Sequence, residues 1–484
     1  MNAASTLTAR LLTERARPHG ISGWRHAHWL AVGTVCLGAF LGQLTAGITA
    51  LVYPALQRHF GTGFAAVEWV ALAYLLVLVA LLAPVGRLSD LVGRKTVYIG
   101  GFAVFGLASL AAGFAGSLGA LVACRAVQAV GGAMMQANSV ALVARGVPEH
   151  AMRRALGIQA AAQGLGLALG PSLGGLLVEH ASWRWVFWIN APVALVGILA
   201  GWFLLPRTRR PDAGPVPPAR RDAGPDPDGG RFDLAGLLLL AGSTTALLLA
   251  LSAASGLPLP GWAVAALLLA TVLLGLGLVR QERRATRPIL APGLVNTPGV
   301  RPGLAVSLIG YLLLFCPLVL GPVLLAEAGL STGQAGLVVT VLPAAFAVAA
   351  TVGGALLPRG WSDVTRCRFG ASLAGAGLLG CVLLPVAGAP APALAFPLLV
   401  AGGGLGLLLP ANNALVMRAI PAECSAVGGG MVNMARSLGT ALGTALPVLG
   451  VHLAGPVPGG RAVLLALAAV AGLAVALSRP VRRR

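Results

Sequence analysis

Long apolar runs, separated by short charged, prolyl or glycyl connections, recur along the whole chain. They fall near residues 28–56, 64–88, 95–115, 117–144, 154–178 and 183–206. After a polar stretch they resume near 232–253, 259–279, 301–326, 332–357, 367–388, 390–417, 424–453 and 460–478. Each is about as long as the 20 or so residues a helix needs to cross a bilayer. The pattern predicts an all-α membrane protein of about fourteen transmembrane helices. Residues 28–206 form an amino-terminal group of six spans and 301–478 a second group of six. Residues 207–231 are a linker, 232–300 an inserted pair with a basic connector, and 1–27 and 479–484 are tails.

Composition supports this reading. Hydrophobic residues make up 57% of the chain and charged residues 10%, far from the mixture of a soluble domain. The net charge of +20 would suit nucleic acid if the bases were clustered, but they are scattered between apolar runs. With the amino terminus inside, about 29 of the 34 Lys and Arg lie on the cytoplasmic side. Arg58, Arg184 and Arg461 fall outside, and Arg125 and Arg436 fall within spans. This positive-inside asymmetry predicts a multi-pass protein of the cell membrane with both termini cytoplasmic. Six cysteines without a CxxC pair predict neither a disulfide framework nor a metal site. The stretch 207–231, rich in Pro, Gly and charge, reads as a flexible cytoplasmic linker. Arg280, Arg283, Arg284 and Arg287 read as an anchor on the lipid surface.

An internal repeat is faintly legible. Ser89-Asp90 after span 2 and Ser362-Asp363 after span 10 both precede basic residues. Spans 1–6 and 9–14 then correspond as halves, with spans 7 and 8 inserted, an arrangement that places a binding site near the midplane. Three further segments carry chemistry. In the connection Gly86-Arg-Leu-Ser-Asp90-Leu-Val-Gly93-Arg94-Lys95 the glycines allow a tight turn and Asp90 can pair with a cation or a helix amino terminus. Arg94 and Lys95 can hold lipid phosphate or a carboxylate of the other half. In span 4, Arg125 and Gln128 share a face that Gly131 continues. Arg125 lies roughly 12 Å deep at the helical rise, so it faces protein or a wet cavity, unless backbone carbonyls satisfy it as a structural cation. In span 5, Gly166, Gly170, Gly174 and Gly175 offer a flat packing face, and Pro171 shapes the helix.

The Gly86–Lys95 segment resembles the cytoplasmic loop between helices two and three of the major facilitator superfamily. The run Gly166–Gly175 resembles the antiporter signature in that superfamily's fifth helix. Residues 154–192, closing on Ser-Trp183-Arg-Trp185-Val-Phe-Trp188-Ile-Asn190-Ala-Pro192, resemble the fourteen-spanner drug:proton antiporters, as does Asn433–Gly443 in span 13. The resemblance implies two six-helix halves with an inserted pair, alternating access, and exchange of a small-molecule substrate against protons. It implies a monomer among membrane lipids, with the proton gradient as energy source and no cofactor. It also implies that the Gly86–Lys95 segment is a latch and that Arg125, Gln128 and Gly131 take part in proton transfer. No Walker motif and no catalytic grouping is present, so no enzyme is expected.

The chain also departs from that family. Thr45 stands where most members carry an acid in helix 1, and none of the fourteen acids falls at mid-span. Glu68, at the outer end of span 2, is the candidate proton carrier or else an interfacial cap. Arg436 lies roughly 18 Å from the inner end of its span at the helical rise. Two deep arginines without a deep acid predict an anionic or neutral amphipathic substrate over a lipophilic cation, unless carbonyls and lipid phosphate neutralise both. Gln43, Thr45, Gln136, Asn138, Gln163, Tyr311, Asn412, Asn433 and Arg436 are the candidates to face the substrate. The expected function is secondary active efflux of a drug, antibiotic or metabolite by proton antiport. The alternatives are a lipid or lipid-linked flippase and a non-transporting receptor of the same fold.

Overall fold

The computed structural model describes residues 17–18, 24, 26–208, 233–254, 259–285, 292–358, 360–383, 391–420 and 425–478. Most of both tails and the 207–231 linker beyond Thr208 lie outside the described residues, as does Arg287 of the basic connector. Among the described residues there are fourteen long helices. The first six are α1 (Ala27–Phe60), α2 (Trp69–Val92), α3 (Arg94–Gly113), α4 (Leu118–Gly146), α5 (Glu149–His180) and α6 (Asn190–Leu204). The inserted pair is α7 (Leu234–Ala254) and α8 (Gly261–Glu282). The last six are α9 (Val300–Glu327), α10 (Thr332–Leu356), α11 (Asp363–Leu383), α12 (Ala391–Ala419), α13 (Ser425–Ala454) and α14 (Pro456–Leu477). Single helical turns precede α2 (Phe64–Val67), α6 (Trp185–Trp188) and α9 (Pro292–Val295).

Thirteen helices are long and apolar enough to cross a membrane. The remaining one, α11, opens on Asp363, Arg366 and Arg368, and the residues 384–390 that would extend it lie outside the description.

Within the first six helices α1 packs on α5, α3 on α4 and α6, and α2 on α4. In the last six α10 and α11 pack on α12, α9 on α13, and α11 on α14. Two long contacts join the groups: α5 with α10, and α2 with α13. The inserted pair hangs from this body by one helix. Among the long helices α8 packs chiefly on α7 and buries only Leu278 and Glu282, as a lipid-facing helix would, while α7 lies against both α2 and α13.

The Gly86–Lys95 segment is not the loop expected from its glycines. Helix α2 continues to Val92, and α3 begins at Arg94. Only Gly93 leaves helical geometry, at φ 116°, a region that side-chain-bearing residues rarely adopt. Gly86 sits inside the helix with open space beside it. The turn therefore needs one glycine, not two.

Candidate functional site

A cavity lies between the two six-helix groups, lined from α1, α2, α3, α4, α5, α9 and α13. Gln43, Gln136, Gln163, Tyr311 and Arg436 all border it. Arg436 is the charged residue of that lining. Its guanidinium carbon lies 4.6 Å from the centre of the Tyr311 ring, and Nη1 donates to Asn433 Oδ1 at 3.3 Å. A cation over an aromatic face is held electrostatically without being neutralised, so its field still reaches the cavity. Tyr311 stacks with Phe315, one helical turn on, giving an apolar wall beside the charge.

A second space, lined by Thr49, Tyr53, Tyr74, Arg125, Phe315 and Thr440 among others, shares Tyr74, Phe315 and Thr440 with the first. Its charge is Arg125, which is 1% exposed. Nε donates to Val70 O at 2.7 Å, Nη1 to Gln128 Oε1 at 2.5 Å, and Nη2 approaches Thr49 Oγ1 at 3.5 Å. The guanidinium also lies 4.5 Å from the centre of the Tyr74 ring. Gln128 passes the chain on, donating through Nε2 to Ser109 Oγ at 2.6 Å. Among the described residues no carboxylate lies within ion-pair distance of Arg125 or Arg436, and none lines either space. Gly131 does not extend the polar stripe. It packs on α3, where an added Cβ would stand 2.6 Å from Gly101 O and Phe105 N.

Four sequence candidates do not line the cavity. Thr45 lies 2.9 Å from Leu41 O and 3.1 Å from Asn190 Oδ1, so its single proton is engaged within the protein. Asn138 donates to Ser89 Oγ and Met134 O, tying α4 to α2. Asn412 donates to Gly303 O and Ser307 Oγ, tying α12 to α9. Asn433 stands behind Arg436 and orients it. Asn138 and Asn412 each find a partner on a neighbouring helix, which is one way hydrocarbon-buried polar groups are satisfied. The sequence reading missed Tyr74, Ser139, Phe315, Ser437 and Thr440 as lining residues. Helical spacing could have found three of them: Ser139 follows Gln136 by three, and Phe315 and Thr440 follow Tyr311 and Arg436 by four.

The glycine–proline run of α5 packs two ways at once. An added Cβ at Gly170 would stand 2.7 Å from Gly47 Cα of α1, and one at Gly174 would stand 3.2 Å from Ile48 Cγ1. Gly166 lies against Phe40 and Leu44 of the same helix. On the other side, Gly175 meets Thr332 and Gly333 of α10, and Pro171 meets Gly336. The run therefore binds α5 to its own half and to the opposite half. Where α5 ends, Glu179 accepts from Gly333 N at 2.5 Å and Ser331 Oγ at 3.2 Å, closing the halves over the amino terminus of α10.

Lys95 turns inward onto its own half. It is 2% exposed, and Nζ donates to Trp202 O at 2.9 Å and Leu205 O at 2.8 Å, at the carbonyl end of α6. The backbone N–H groups of Arg94 and Lys95 donate to Thr208 Oγ1. Arg17 joins the same helix end, donating to Leu204 O at 2.5 Å. Cations are favoured where unpaired carbonyls end a helix, which explains the burial of an ammonium there. The Asp90 side chain lies outside the described part of its helix.

Glu68 is not an interfacial cap. It sits between the turn Phe64–Val67 and α2, with no exposure to solvent. Its Oε1 accepts a hydrogen bond from the Ser252 hydroxyl of α7, and its buried Oε2 has no partner among the described residues.

A cavity at the seam of two six-helix groups is the arrangement in which alternating-access carriers hold a solute. The Major Facilitator Superfamily profile matches residues 35–444. The chain belongs to the Major Facilitator Superfamily. Among its relatives is the tetracenomycin C resistance and export protein of Streptomyces glaucescens, 32% identical over 90% of this chain and 77% of the relative. The riboflavin transporter RibZ of Clostridioides difficile is 29% identical over 86% and 87%, respectively. The puromycin resistance protein pur8 of Streptomyces alboniger is 33% identical over 86% and 80%. The chain is a multi-pass membrane transporter and not an enzyme.

Proposed function

We propose that the chain exports an anionic or neutral amphipathic small molecule in exchange for protons, across the cell membrane and as a monomer. The observation that carries the reading is the charge of the cavity. Two arginines and three glutamines face the linked spaces, with no acid among their linings. A low-dielectric pocket with net positive potential attracts anions and repels lipophilic cations. Arg436 would receive the anionic or strongly polar end of the solute, with Tyr311 and Phe315 against its apolar part. Resistance to tetracenomycin C and puromycin in relatives supports export as the direction and an amphipathic antibiotic or metabolite as the cargo.

With both termini cytoplasmic, the end where Glu179 holds the amino terminus of α10 is the outer face, closed by those contacts. The solute enters from the cytoplasm. The halves then rock about the α5–α10 and α2–α13 contacts, and the outer contacts of Glu179 open for release. Glu68 is the proton carrier of the return step, since its Oε2 has no partner among the described residues.

The test uses inverted membrane vesicles energised with a proton gradient and a panel of anionic, neutral and quaternary ammonium solutes. Accumulation of anionic or neutral solutes that collapses with an uncoupler is expected, and Glu68→Gln should abolish it. Preferential accumulation of quaternary ammonium compounds would overturn the substrate assignment. Accumulation indifferent to the uncoupler would overturn proton coupling.

A further inference from the structure

We propose that the inserted pair α7–α8 is a working part of the proton site, with Ser252 of α7 as the residue that holds Glu68 and reports its protonation to the seam between the halves. This rests on Glu68 as the carrier proposed above.

Three observations converge. Ser252 is fully buried, and its hydroxyl donates to Glu68 Oε1, so the inserted helix supplies the polar partner of the buried carboxyl. The same helix packs on α2 of one half and α13 of the other, whose mutual contact must change as the halves rock. Its partner α8 packs chiefly on α7, so the pair moves as α7 moves.

The chemistry follows from one hydrogen bond. With Glu68 ionised, the Ser252 hydroxyl donates to a charged acceptor. When a proton binds at the unpartnered Oε2, the carboxyl becomes neutral and the same bond becomes a neutral one, roughly half as strong. The attachment of α7 to α2 is therefore tight with the proton absent and looser with it bound, while the packing of α7 on α13 is untouched. Proton occupancy is converted into a change of grip across the seam.

Ser252 is the side chain that donates a hydrogen bond to Glu68. From α1, fully buried Tyr53 interacts electrostatically with both Glu68 and Arg125, and Arg125 of α4 stands beyond it. No ionisable side chain occurs in α7 from 234 to 254, or in α13 between Arg436 and His452. His452 itself lies at the exposed end of its helix.

The experiment labels the full-length protein in proteoliposomes with dicyclohexylcarbodiimide, which adds to protonated carboxyls in apolar surroundings. The adduct at Glu68 is quantified by peptide mass spectrometry as a function of pH, with no transported solute needed. Ser252→Ala should displace the labelling midpoint by about tenfold in proton concentration, the scale of one hydrogen bond to a charged group. Ser252→Thr, which keeps the hydroxyl, should retain the parent midpoint. In hydrogen exchange corrected for intrinsic pH dependence, peptides of 245–254 should lose protection as Glu68 protonates, in the parent but not in Ser252→Ala. Labelling profiles of parent and Ser252→Ala that superimpose overturn the proposal, as does α7 protection that tracks pH equally in both. Should Glu68→Gln instead leave proton-coupled transport intact, the carrier assignment fails, and the labelling midpoint still decides what Ser252 does to Glu68.

Discussion

Replacing Gly170 by alanine tests the packing argument most directly. The new Cβ would stand 2.7 Å from Gly47 Cα, 2.8 Å from Gly47 C and 2.9 Å from Ile48 N. All three are backbone atoms, and none can rotate away. Ordinary carbon contacts lie at about 3.5–4.0 Å, so α1 and α5 must part by about 1 Å. Overpacking of this kind costs about 1–3 kcal/mol, against which alanine contributes up to about 1 kcal/mol of helix propensity. The net expectation is a loss of about 1–2 kcal/mol. Two other glycines calibrate it. At Gly174 the nearest atoms are Ile48 Cγ1 at 3.2 Å and the backbone Ile48 O at 3.3 Å, only a few tenths short of ordinary contact, so Gly174→Ala should fall between Gly170→Ala and Gly86→Ala. At Gly86 nothing lies within 4 Å, so Gly86→Ala should stabilise by up to about 1 kcal/mol. Thermal unfolding in detergent ranks the three, and transport in vesicles is measured alongside. Because α5 also carries Gly175 against α10, Gly170→Ala should slow transport as well as lower stability. A Gly170→Ala protein as stable and active as Gly86→Ala would refute the reasoning.

Three further outcomes are expected. Arg436→Gln should lower kcat/KM for an anionic solute by about 10–100-fold, the worth of one charge-assisted hydrogen bond, and affect a neutral solute much less; equal losses for both, measured in vesicles, would remove Arg436 from charge recognition. Lys95→Met leaves Trp202 O and Leu205 O without their donor, and should cost about 1–3 kcal/mol in a melting experiment. Glu179→Gln removes the charge that the amino terminus of α10 favours, about 0.3–1 kcal/mol, so a cysteine placed at Ser172 in a cysteine-free background should label about 2–5-fold faster with an impermeant maleimide.

The spans were legible because hydrocarbon imposes its demand locally: every residue of a crossing must be apolar or satisfied within the helix. The one helix short of that standard, α11, begins on Asp363, and this acid pairs with Arg418 at the end of α12. The Arg125–Gln128 contact was legible for a similar reason, since three residues along a helix bring two side chains together without help from any other element. Among the polar candidates the reading divides. Gln43, Gln136, Gln163, Tyr311 and Arg436 reach the cavity, whereas Thr45, Asn138 and Asn412 are spent on joining helices. Sequence spacing could not separate them, because an amide near mid-span looks the same whether it turns to a cavity or to Ser89.

Glu68 and Lys95 mark the same boundary more sharply. By position in the chain, Glu68 stood at the outer end of a span and Lys95 in a cytoplasmic connection, two places where charges usually meet water. Folding brings Ser252 from 184 residues away onto the first and the carbonyl end of α6 onto the second. What the sequence by itself determined was the all-α, membrane-spanning character of the chain and the small-residue face of α5, since each depends on the composition of continuous segments. Which polar residue faces solute, which cation caps a helix and which helix covers the buried acid were decided only in the tertiary structure. Those outcomes depend on the rotation of each helix about its axis, and that rotation is set by packing against neighbours that lie far apart in the chain.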